Sequence, residues 1–333
     1  MEFDYEDMSK EEGILELETG YGIRNPEVIA ALKKDHETAI DLSNLPIKLL
    51  VKDVGSLTAE EFTNIRRRGF GGSDSSMLLG VNPYQGESEL INSKVLPYLP
   101  DSPEKTAQLE RESQVGRLAS VRKGNDLEPL IIKKASEALG ITIIKPVDMF
   151  QFKDYPYLTM NFDGVGDFPK DHKFSFVAKH HGYAPVEIKV ATFKGQRHYQ
   201  IPKAIYSETR FYQGLEPWEE APPPLSDEEL RTLSIEQKAL HFGIPPYYYT
   251  QVQQEMMALD ANHGFLAVLF EMDWHLQIFF VQKDIYVWNA LKIEGYKEWQ
   301  KVEAIIRRYN PTMATPAEDV NKIEKLKEER ETI

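Results

Sequence analysis

The sequence MNFDG at residues 160–164, followed by PVEIK at residues 185–189, decides the interpretation of this chain. The first segment predicts a strand that ends near Asp163, and the second predicts the strand that carries Glu187 and Lys189. Alternate residues of a strand point to the same side of a sheet. Glu187 and Lys189 are therefore expected to project together, close to the carboxylate of Asp163.

Two carboxylates and an ammonium group at one edge of a sheet are suited to phosphodiester hydrolysis. The carboxylates can hold a divalent metal ion, which neutralises the charge of a phosphoryl transition state. The alternative is a solvated Glu-Lys pair on an exposed strand, which is common in a chain with 28% charged residues. Further motifs must decide between the two interpretations.

The composition is that of an ordinary globular protein. Of the 333 residues, 41% are hydrophobic and 11% aromatic, and the chain contains no cysteine. No apolar run approaches membrane-spanning length, and the acidic first residues are unlike a signal peptide. We therefore expect a soluble, cytoplasmic protein. The absence of cysteine excludes thiolate zinc sites, and His180-His181 lacks the spacing of a structural zinc site.

The net charge of −14 is unusual for a nucleic-acid enzyme. The acidity is concentrated, however: residues 1–40 contain 11 acidic and 4 basic residues, and residues 211–230 contain 6 acidic residues and no basic one. The rest of the chain is nearly neutral and includes the triplet 66–68, which is all arginine. Because the local field governs phosphate binding, the net charge does not exclude DNA as a substrate.

These segments resemble the PD-(D/E)XK nuclease superfamily and, within it, the YqaJ-like viral recombinase nucleases, relatives of the phage lambda exonuclease. Four motifs occur in the expected order: RRRGFGGSD at 66–74, GNDLEP at 124–129, the pair of segments quoted above, and YTQVQQE at 249–255. The resemblance covers about residues 65–296. It implies an α/β fold with a PD-(D/E)XK, restriction-endonuclease-like core, in which helices flank a mixed central sheet.

The resemblance assigns the metal centre to four residues: Glu128, Asp163, Glu187 and, through its carbonyl, Ile188. Glu128 would support a second ion, often through water, and the other three would be direct ligands. Mg²⁺ is the expected cofactor, with Mn²⁺ as an alternative, and two ions are expected. Lys189 would orient or help to deprotonate the attacking water, and Gln251 would hold that water or the scissile phosphate.

Two of these assignments have structural alternatives. Glu128 precedes Pro129, and it could also be an acid in the first turn of a helix that begins at Pro129. Gln251 and Glu255 lie one helical turn apart and share a face. Core packing of an amphipathic helix explains that spacing almost as well without a functional role.

The distance along the chain between the two metal-binding carboxylates differs from the family pattern. Asp163 and Glu187 are 24 residues apart, more than is usual in the family. An inserted β-hairpin at about 167–183 would account for the difference and keep the catalytic strands adjacent. Asp167 is a second acid near the site and stays open as a ligand, although Asp163 matches the motif better.

A DNA-binding surface is predicted next to the metal centre. Arg66 and Ser73 match the family's opening motif, in which these residues form a pocket for the 5′-phosphate of DNA, as suits the bidentate grip of arginine and the glycines between them. The alternative is a helix that ends in arginines, followed by a turn and a Ser N-cap. Asn161 replaces a phosphate-contacting residue of the family, which puts strict 5′-phosphate dependence in question. Lys194 and Arg197 would follow the backbone of the cut strand without reading its sequence.

The chain is predicted to contain an acidic N-terminal extension (1–55), a nuclease domain (56–310) and a charged C-terminal tail (311–333). Besides the hairpin, the nuclease domain would include an acidic, Pro-rich insertion at about 207–245. Hydrophobic patterns around the motifs predict further elements: the strand of the Glu-x-Lys motif at 184–191, a helix at 247–259, a β-hairpin at 265–281 and a closing helix at 285–307.

The leading prediction is a metal-dependent deoxyribonuclease that hydrolyses the phosphodiester bonds of linear duplex DNA, 5′ to 3′, in phage-type recombination. Its expected partners are double-stranded DNA ends, a single-strand annealing recombinase and further copies of itself, a trimer by resemblance. It would act in the cytoplasm, that of a bacterial host if it is phage-encoded. Two alternatives stay open: an endonuclease or flap nuclease with the same metal centre, and a non-catalytic DNA-end-binding protein.

Overall fold

The computed structural model describes residues 41–115, 119–169, 172 and 182–309. Three predicted features lie wholly or mainly outside these residues: the acidic extension up to residue 40, most of the hairpin at 167–183, and the C-terminal tail.

Runs of helices and runs of strands follow one another along the described chain. The helices are α1 (Ala59–Arg66), α2 (Ser75–Leu78), α3 (Glu87–Val95), α4 (Pro103–Val115), α5 (Ala119–Leu139), α6 (Phe193–Gln196), α7 (Glu208–Tyr212), α8 (Asp227–Thr232), α9 (Ile235–Phe242), α10 (Pro246–Leu259) and α11 (Ile285–Tyr309). The strands are β1 (Ile47–Val51), β2 (Thr142–Ile144), β3 (Met149–Phe152), β4 (Thr159–Met160), β5 (Val165–Asp167), β6 (Tyr183–Ala191), β7 (Tyr206–Ser207), β8 (His263–Phe270) and β9 (Leu276–Gln282).

A mixed six-stranded sheet forms the centre of the fold, in the order β2-β5-β6-β8-β9-β7. Strands β6 and β8 are parallel, with Glu187 opposite Leu266, and the other neighbouring strands are antiparallel. Helices α5 and α10 pack against β6. The predicted α/β fold with a mixed central sheet flanked by helices is therefore confirmed.

The parallel pair lies in the middle of the core, and its sequence shows why. Residues 265–270 of β8 are all apolar and all buried, without the alternation of a strand that has one face in water. Parallel strands are usually covered on both faces, which a continuous apolar run permits. The strand that carries Glu187 is thus held rigidly against β8.

Residues 41–55 belong to the folded body, which differs from the predicted extension. Strand β1 pairs with β3, and β3 pairs with β4, in a second, three-stranded sheet. Leu45 and Ile47 are 2% and 0% exposed and belong to the main core. The apolar segment IKLLV completes this small sheet, so the predicted boundary at residue 55 cuts through a folded unit.

The predicted insertion at 207–245 is also integrated into the core. It forms helices α7, α8 and α9, the last two of which begin with capping boxes at Ser226 and Ser234. Leu225, Leu230 and Phe242 are buried in the main core. Its acidic and Pro-rich composition conceals these short helices, which together bury only a few apolar side chains.

The strongly patterned elements after residue 245 follow their predictions. Helix α10 begins at Pro246, strands β8 and β9 form the predicted hairpin, and α11 is the closing helix. None of the described helices is long and apolar enough to span a membrane.

Candidate active site

The edge of β6 becomes available just before the Glu-x-Lys motif. Strand β5 pairs with β6 only as far as Pro185. Beyond that point the backbone of β6 is bonded on this side by a side chain and not by β5. Asp163 Oδ2 accepts a hydrogen bond from the backbone N–H of Ile188 at 3.3 Å. Asp163 therefore lies in a bend between β4 and β5, not at the end of a strand as predicted, and its carboxylate is held at the edge of β6.

Gly164 allows Asp163 to lie this close to β6. A Cβ atom on Gly164 would come within 2.8 Å of Ile143 Cγ2 and 3.1 Å of the carbonyl oxygen of Val186. Ile143 is fully buried and the second contact is backbone, so neither neighbour can move easily. Any other residue would displace the bend and the carboxylate with it.

Lys189 joins the two predicted metal-binding carboxylates. Its Nζ lies 3.3 Å from Asp163 Oδ2 and forms a short ion pair with Glu187 Oε1. Glu187 is fully buried, whereas 22% of the Lys189 side chain and 30% of the Asp163 side chain are exposed. The structure thus brings these three residues together, with one side of the cluster open to solvent.

The charges of this cluster are strongly coupled. Burial raises the pKa of Glu187 to about 7, and the charge of Asp163 contributes to the shift. Burial lowers the pKa of Lys189, but the carboxylates of Asp163 and Glu187 outweigh it and bring that pKa well above its ordinary value. Lys189 is therefore a protonated hydrogen-bond donor at a position that favours positive charge.

Helix α10 covers the cluster with Gln251. Gln251 Nε2 donates to Glu187 Oε1 at 2.5 Å and lies 3.5 Å from Glu255 Oε1. Glu255 is 1% exposed, and burial together with Glu187 raises its pKa well above the ordinary range. Sequence motifs predict no role for Glu255, although its spacing of four residues from Gln251 indicates that the two share a face.

The rest of the YTQVQQE motif supports the fold. The hydroxyl of Tyr249 donates to Asp284 Oδ2 at 3.0 Å, and Gln253 Nε2 donates to the carbonyl of Gln282 at 2.6 Å. Both Tyr249 and Gln253 are fully buried. They fix α10 against β9 and the start of α11, while Gln251 alone of the three faces the carboxylates.

Glu128 approaches the cluster from α5. This helix begins at Ala119 and contains Pro129, so the alternative in which Pro129 starts the helix is wrong. Glu128 forms an ion pair with Lys145, and burial, followed by the charge of Asp163, raises its pKa. A cavity of about 380 Å³ lies between α5 and the cluster. Its lining includes Asn125 and Glu128 of α5, Asp163, and Ile188 and Lys189 of β6.

Asp167 lies away from these carboxylates. It is exposed, at the end of β5, opposite Tyr183. Tyr183 and Glu187 are four positions apart along β6, which corresponds to about 13 Å. Of the two candidate acids, Asp163 is the one that the structure brings to Lys189.

The donor set fits a hard divalent cation. Among the described residues, no three His, Asp or Glu side chains are close enough to surround a metal ion by themselves. Mg²⁺ needs no such cage, because it usually binds one or two carboxylates, waters and substrate oxygens. Asp163 and Glu187 supply two carboxylates, and Glu187 Oε2 is buried without a hydrogen-bond donor in the described part of the chain. Oxygen ligands of this kind suit Mg²⁺ or Mn²⁺.

The glycine-rich turn, residues 69–72, brings the side chains of Arg66 and Ser73 into contact. Helix α1 begins with a capping box at Thr58 and ends at Arg66, whose Nη2 donates to Ser73 Oγ at 3.1 Å. Ser73 lies inside a single 3₁₀ turn, Gly72–Asp74, and caps no helix. A cavity of about 440 Å³ is lined by the predicted phosphate-binding and catalytic residues together: Arg66, Ser73, Asn161, Asp163, Lys189 and Gln251.

A buried ion pair holds this turn in place. Asp74 Oδ2 accepts the backbone N–H of Gly71 at 2.9 Å and a hydrogen bond from Lys94 Nζ at 2.6 Å. Lys94 also donates to the carbonyl of Arg66 at 3.2 Å. Helix α3, which carries Lys94, thereby connects both ends of the RRRGFGGSD segment.

Gln254→Leu is expected to lower the free energy of unfolding by about 2 kcal/mol. Gln254 is fully buried, and its Nε2 donates to the carbonyls of Phe70 and Thr159, each at 3.1 Å. Leucine removes both hydrogen bonds, which tie α10 to the glycine-rich turn. Urea denaturation of wild type and variant measures the change, with the exposed Gln213→Leu as control. An equal shift for both variants would contradict this role.

Lys194 and Arg197 are not brought to the cluster. Both are exposed, on and just after α6, and neither belongs to the residues that line the two cavities. Their contact with the cut strand stays a prediction.

Tyr248 is a site residue that the motifs did not indicate. It lines both cavities, and Lys189 Nζ lies 5.4 Å from the centre of its ring. The run of three tyrosines at 247–249 was the signal, but only Tyr249 was matched to the family.

The segment that contains Arg66, Ser73, Glu128, Asp163 and Lys189 matches a known family. Residues 61–208 match the YqaJ-like viral recombinase domain. The predicted resemblance is confirmed over this YqaJ segment. Gln251 and the rest of α10 lie beyond it, although the predicted resemblance extended to about residue 296.

Three solved structures are also similar to the chain. Two are of the alkaline exonuclease LHK-Exo from Laribacter hongkongensis: its complex with dAMP is 13% identical, with a TM-score of 0.43, covering 77% of this chain and 100% of that chain. The second is 12% identical, with a TM-score of 0.41, covering 76% and 97%. A phage-related exonuclease from Haemophilus somnus 129PT is 12% identical, with a TM-score of 0.36, covering 75% and 99%. No curated protein matches the chain.

Proposed function

We propose that this chain is a divalent-metal-dependent deoxyribonuclease of the lambda exonuclease type, which resects linear duplex DNA from its ends, 5′ to 3′. One observation carries the proposal: a single cavity is lined by Arg66 and Ser73 and also by Asp163, Lys189 and Gln251. The pair Arg66 and Ser73, called the phosphate grip below, lies next to a hydrolytic centre. This arrangement suits an enzyme that begins at a DNA end. The YqaJ match of residues 61–208 supports nuclease activity.

Asp163 and Glu187 would hold the metal ion, with the carbonyl of Ile188 and, for a second ion, Glu128. When bound, Mg²⁺ or Mn²⁺ supplies charge neutralisation for the phosphoryl transition state. Gly164 and the N–H of Ile188 keep Asp163 in position for this role, and burial between β8 and α10 fixes Glu187.

Lys189 and Gln251 act on the water and the phosphate. The ammonium of Lys189 lies within hydrogen-bond reach of both carboxylates, where it would orient the water and stabilise the developing negative charge. Gln251, whose amide nitrogen donates to Glu187, presents its carbonyl oxygen as an acceptor for that water.

Arg66 and Ser73 would hold the 5′-phosphate of the terminal nucleotide. The guanidinium donates to phosphate oxygens, and the hydroxyl of Ser73, now an acceptor for Arg66, can donate to the same group. By resemblance, we further propose that copies of the chain assemble as a trimer and hand the single strand to an annealing recombinase.

DNA substrates of defined topology test the mode of action. Linear duplex, nicked circle and covalently closed circle are incubated with the protein and Mg²⁺, Mn²⁺ or EDTA. We expect metal-dependent loss of the linear duplex and persistence of the closed circle. Attack on closed circles at the same rate would favour the endonuclease alternative, and end binding without any product would favour the non-catalytic one.

A further inference from the structure

Aromatic side chains line the cavity between the phosphate grip and the carboxylates. Tyr84, Tyr247 and Tyr248 belong to its wall, together with Phe62. The volume of about 440 Å³ is sufficient for a ligand of the size of one nucleotide. None of these aromatic residues has a part in the hydrolysis derived above.

Tyr84 has the most available surface of this aromatic wall. Its side chain is 76% exposed, although aromatic residues tend to be buried in cores or interfaces. Its ring meets that of Tyr247 edge to face, with centroids 6.2 Å apart and planes at 61°. Tyr247 in turn packs against Tyr248, with centroids 4.5 Å apart. Tyr84 is thus the outer member of a supported row of rings.

The backbone of Tyr84 is fixed relative to the phosphate grip. Asn82 Oδ1 accepts its N–H at 2.9 Å, and Asn82 Nδ2 donates to Ser76 Oγ at 3.0 Å. Ser76 is 2% exposed and lies in α2, directly after the glycine-rich turn. The turn that carries Ser73 and the loop that carries Tyr84 therefore keep a constant separation.

We propose that Tyr84, supported by Tyr247, stacks on the base of the 5′-terminal nucleotide. This inference rests on the proposed function and adds to it a subsite for one unpaired nucleobase. Arg66 and Ser73 hold the phosphate on one side of that nucleotide, and Asp163 lies by the bond on its other side. Stacking on an aromatic ring tolerates every base, because each base has a π-face. The subsite therefore increases affinity for an end without reading its sequence.

An experiment that removes the base from the DNA end and the ring from Tyr84, separately and together, tests this contact. Two linear duplexes carry a 5′-phosphate and an unpaired 5′-terminal nucleotide, which is thymidine in one and an abasic analogue in the other. We measure kcat/KM for release of that nucleotide by wild type, Tyr84→Ala and Tyr84→Phe. Phe211→Ala, which removes an exposed ring from α7, is the matched control.

Wild type is expected to release thymidine about tenfold more efficiently than the abasic nucleotide, as one stacked base permits. Tyr84→Ala should lose this preference and act on the abasic end as wild type does, while Tyr84→Phe and Phe211→Ala should keep the preference. A preference that survives Tyr84→Ala, or an equal loss on both ends, would overturn the subsite alone. Failure of wild type to release either nucleotide would overturn the proposed function, and the subsite with it.

Discussion

Lys189→Met is expected to lower the rate of DNA hydrolysis about a thousandfold, within the range of a positioned proton-transfer or charge-stabilising group. The ammonium of Lys189 is within hydrogen-bond reach of Asp163 and Glu187, the two carboxylates proposed to bind the metal, and it lines both cavities around them. Methionine keeps the length of the side chain and removes the donor. Initial rates on linear duplex with Mg²⁺ measure the loss.

A measurement of metal binding distinguishes a variant that has lost only catalysis from one that has lost the metal site. Because Lys189 competes with a cation for Asp163 and Glu187, Lys189→Met should bind Mn²⁺ at least as tightly as wild type in calorimetric titration at pH 8. Lys48→Met, on the exposed side of β1, is the control and should leave rate and binding unchanged. A variant that binds metal normally and keeps its full rate would contradict the role of Lys189.

Arg66→Gln is expected to lower kcat/KM about a hundredfold on 5′-phosphorylated ends, since it removes charge-assisted hydrogen bonds to a phosphate. Ends that carry a 5′-hydroxyl should be cut at nearly the same rate by wild type and variant. Arg66 is exposed at the end of α1 and donates to Ser73 inside the cavity. Competition between the two kinds of end in one reaction measures the preference directly.

The adjacent arginines provide a matched control. Arg68 is exposed in the same triplet and does not line the cavity, so Arg68→Gln should keep the phosphate preference. Arg67 is unsuitable because it is buried and donates to the carbonyl of Ser93. An equal loss on phosphorylated and unphosphorylated ends in Arg66→Gln would assign Arg66 to general backbone contact.

The central part of the site could be predicted because it depends on local pattern. Glu187 and Lys189 lie two residues apart on one strand, so they must share a side. The helical spacing of the YTQVQQE motif placed Gln251 and Glu255 on one face. These predictions need no knowledge of distant contacts.

Other parts depend on contacts between distant segments. The ion pair of Glu128 with Lys145 joins α5 to the segment after β2, and the ring of Tyr84 meets Tyr247 across the cavity. Pro129 indicated the start of a helix, yet α5 continues through it, as packing against β6 can outweigh the loss of one backbone hydrogen bond. Periodicity within one segment contains none of this information.

Release of a 5′ label from linear duplex DNA by wild type and Asp163→Asn, with Mg²⁺ or with EDTA, tests the central claim most directly. Asparagine can still accept the N–H of Ile188, so the variant removes the charge and keeps the local contact. The proposed metal centre predicts release by wild type only with Mg²⁺, and release by Asp163→Asn lower by about a thousandfold. Equal release by both proteins, or release by wild type in EDTA, would contradict it.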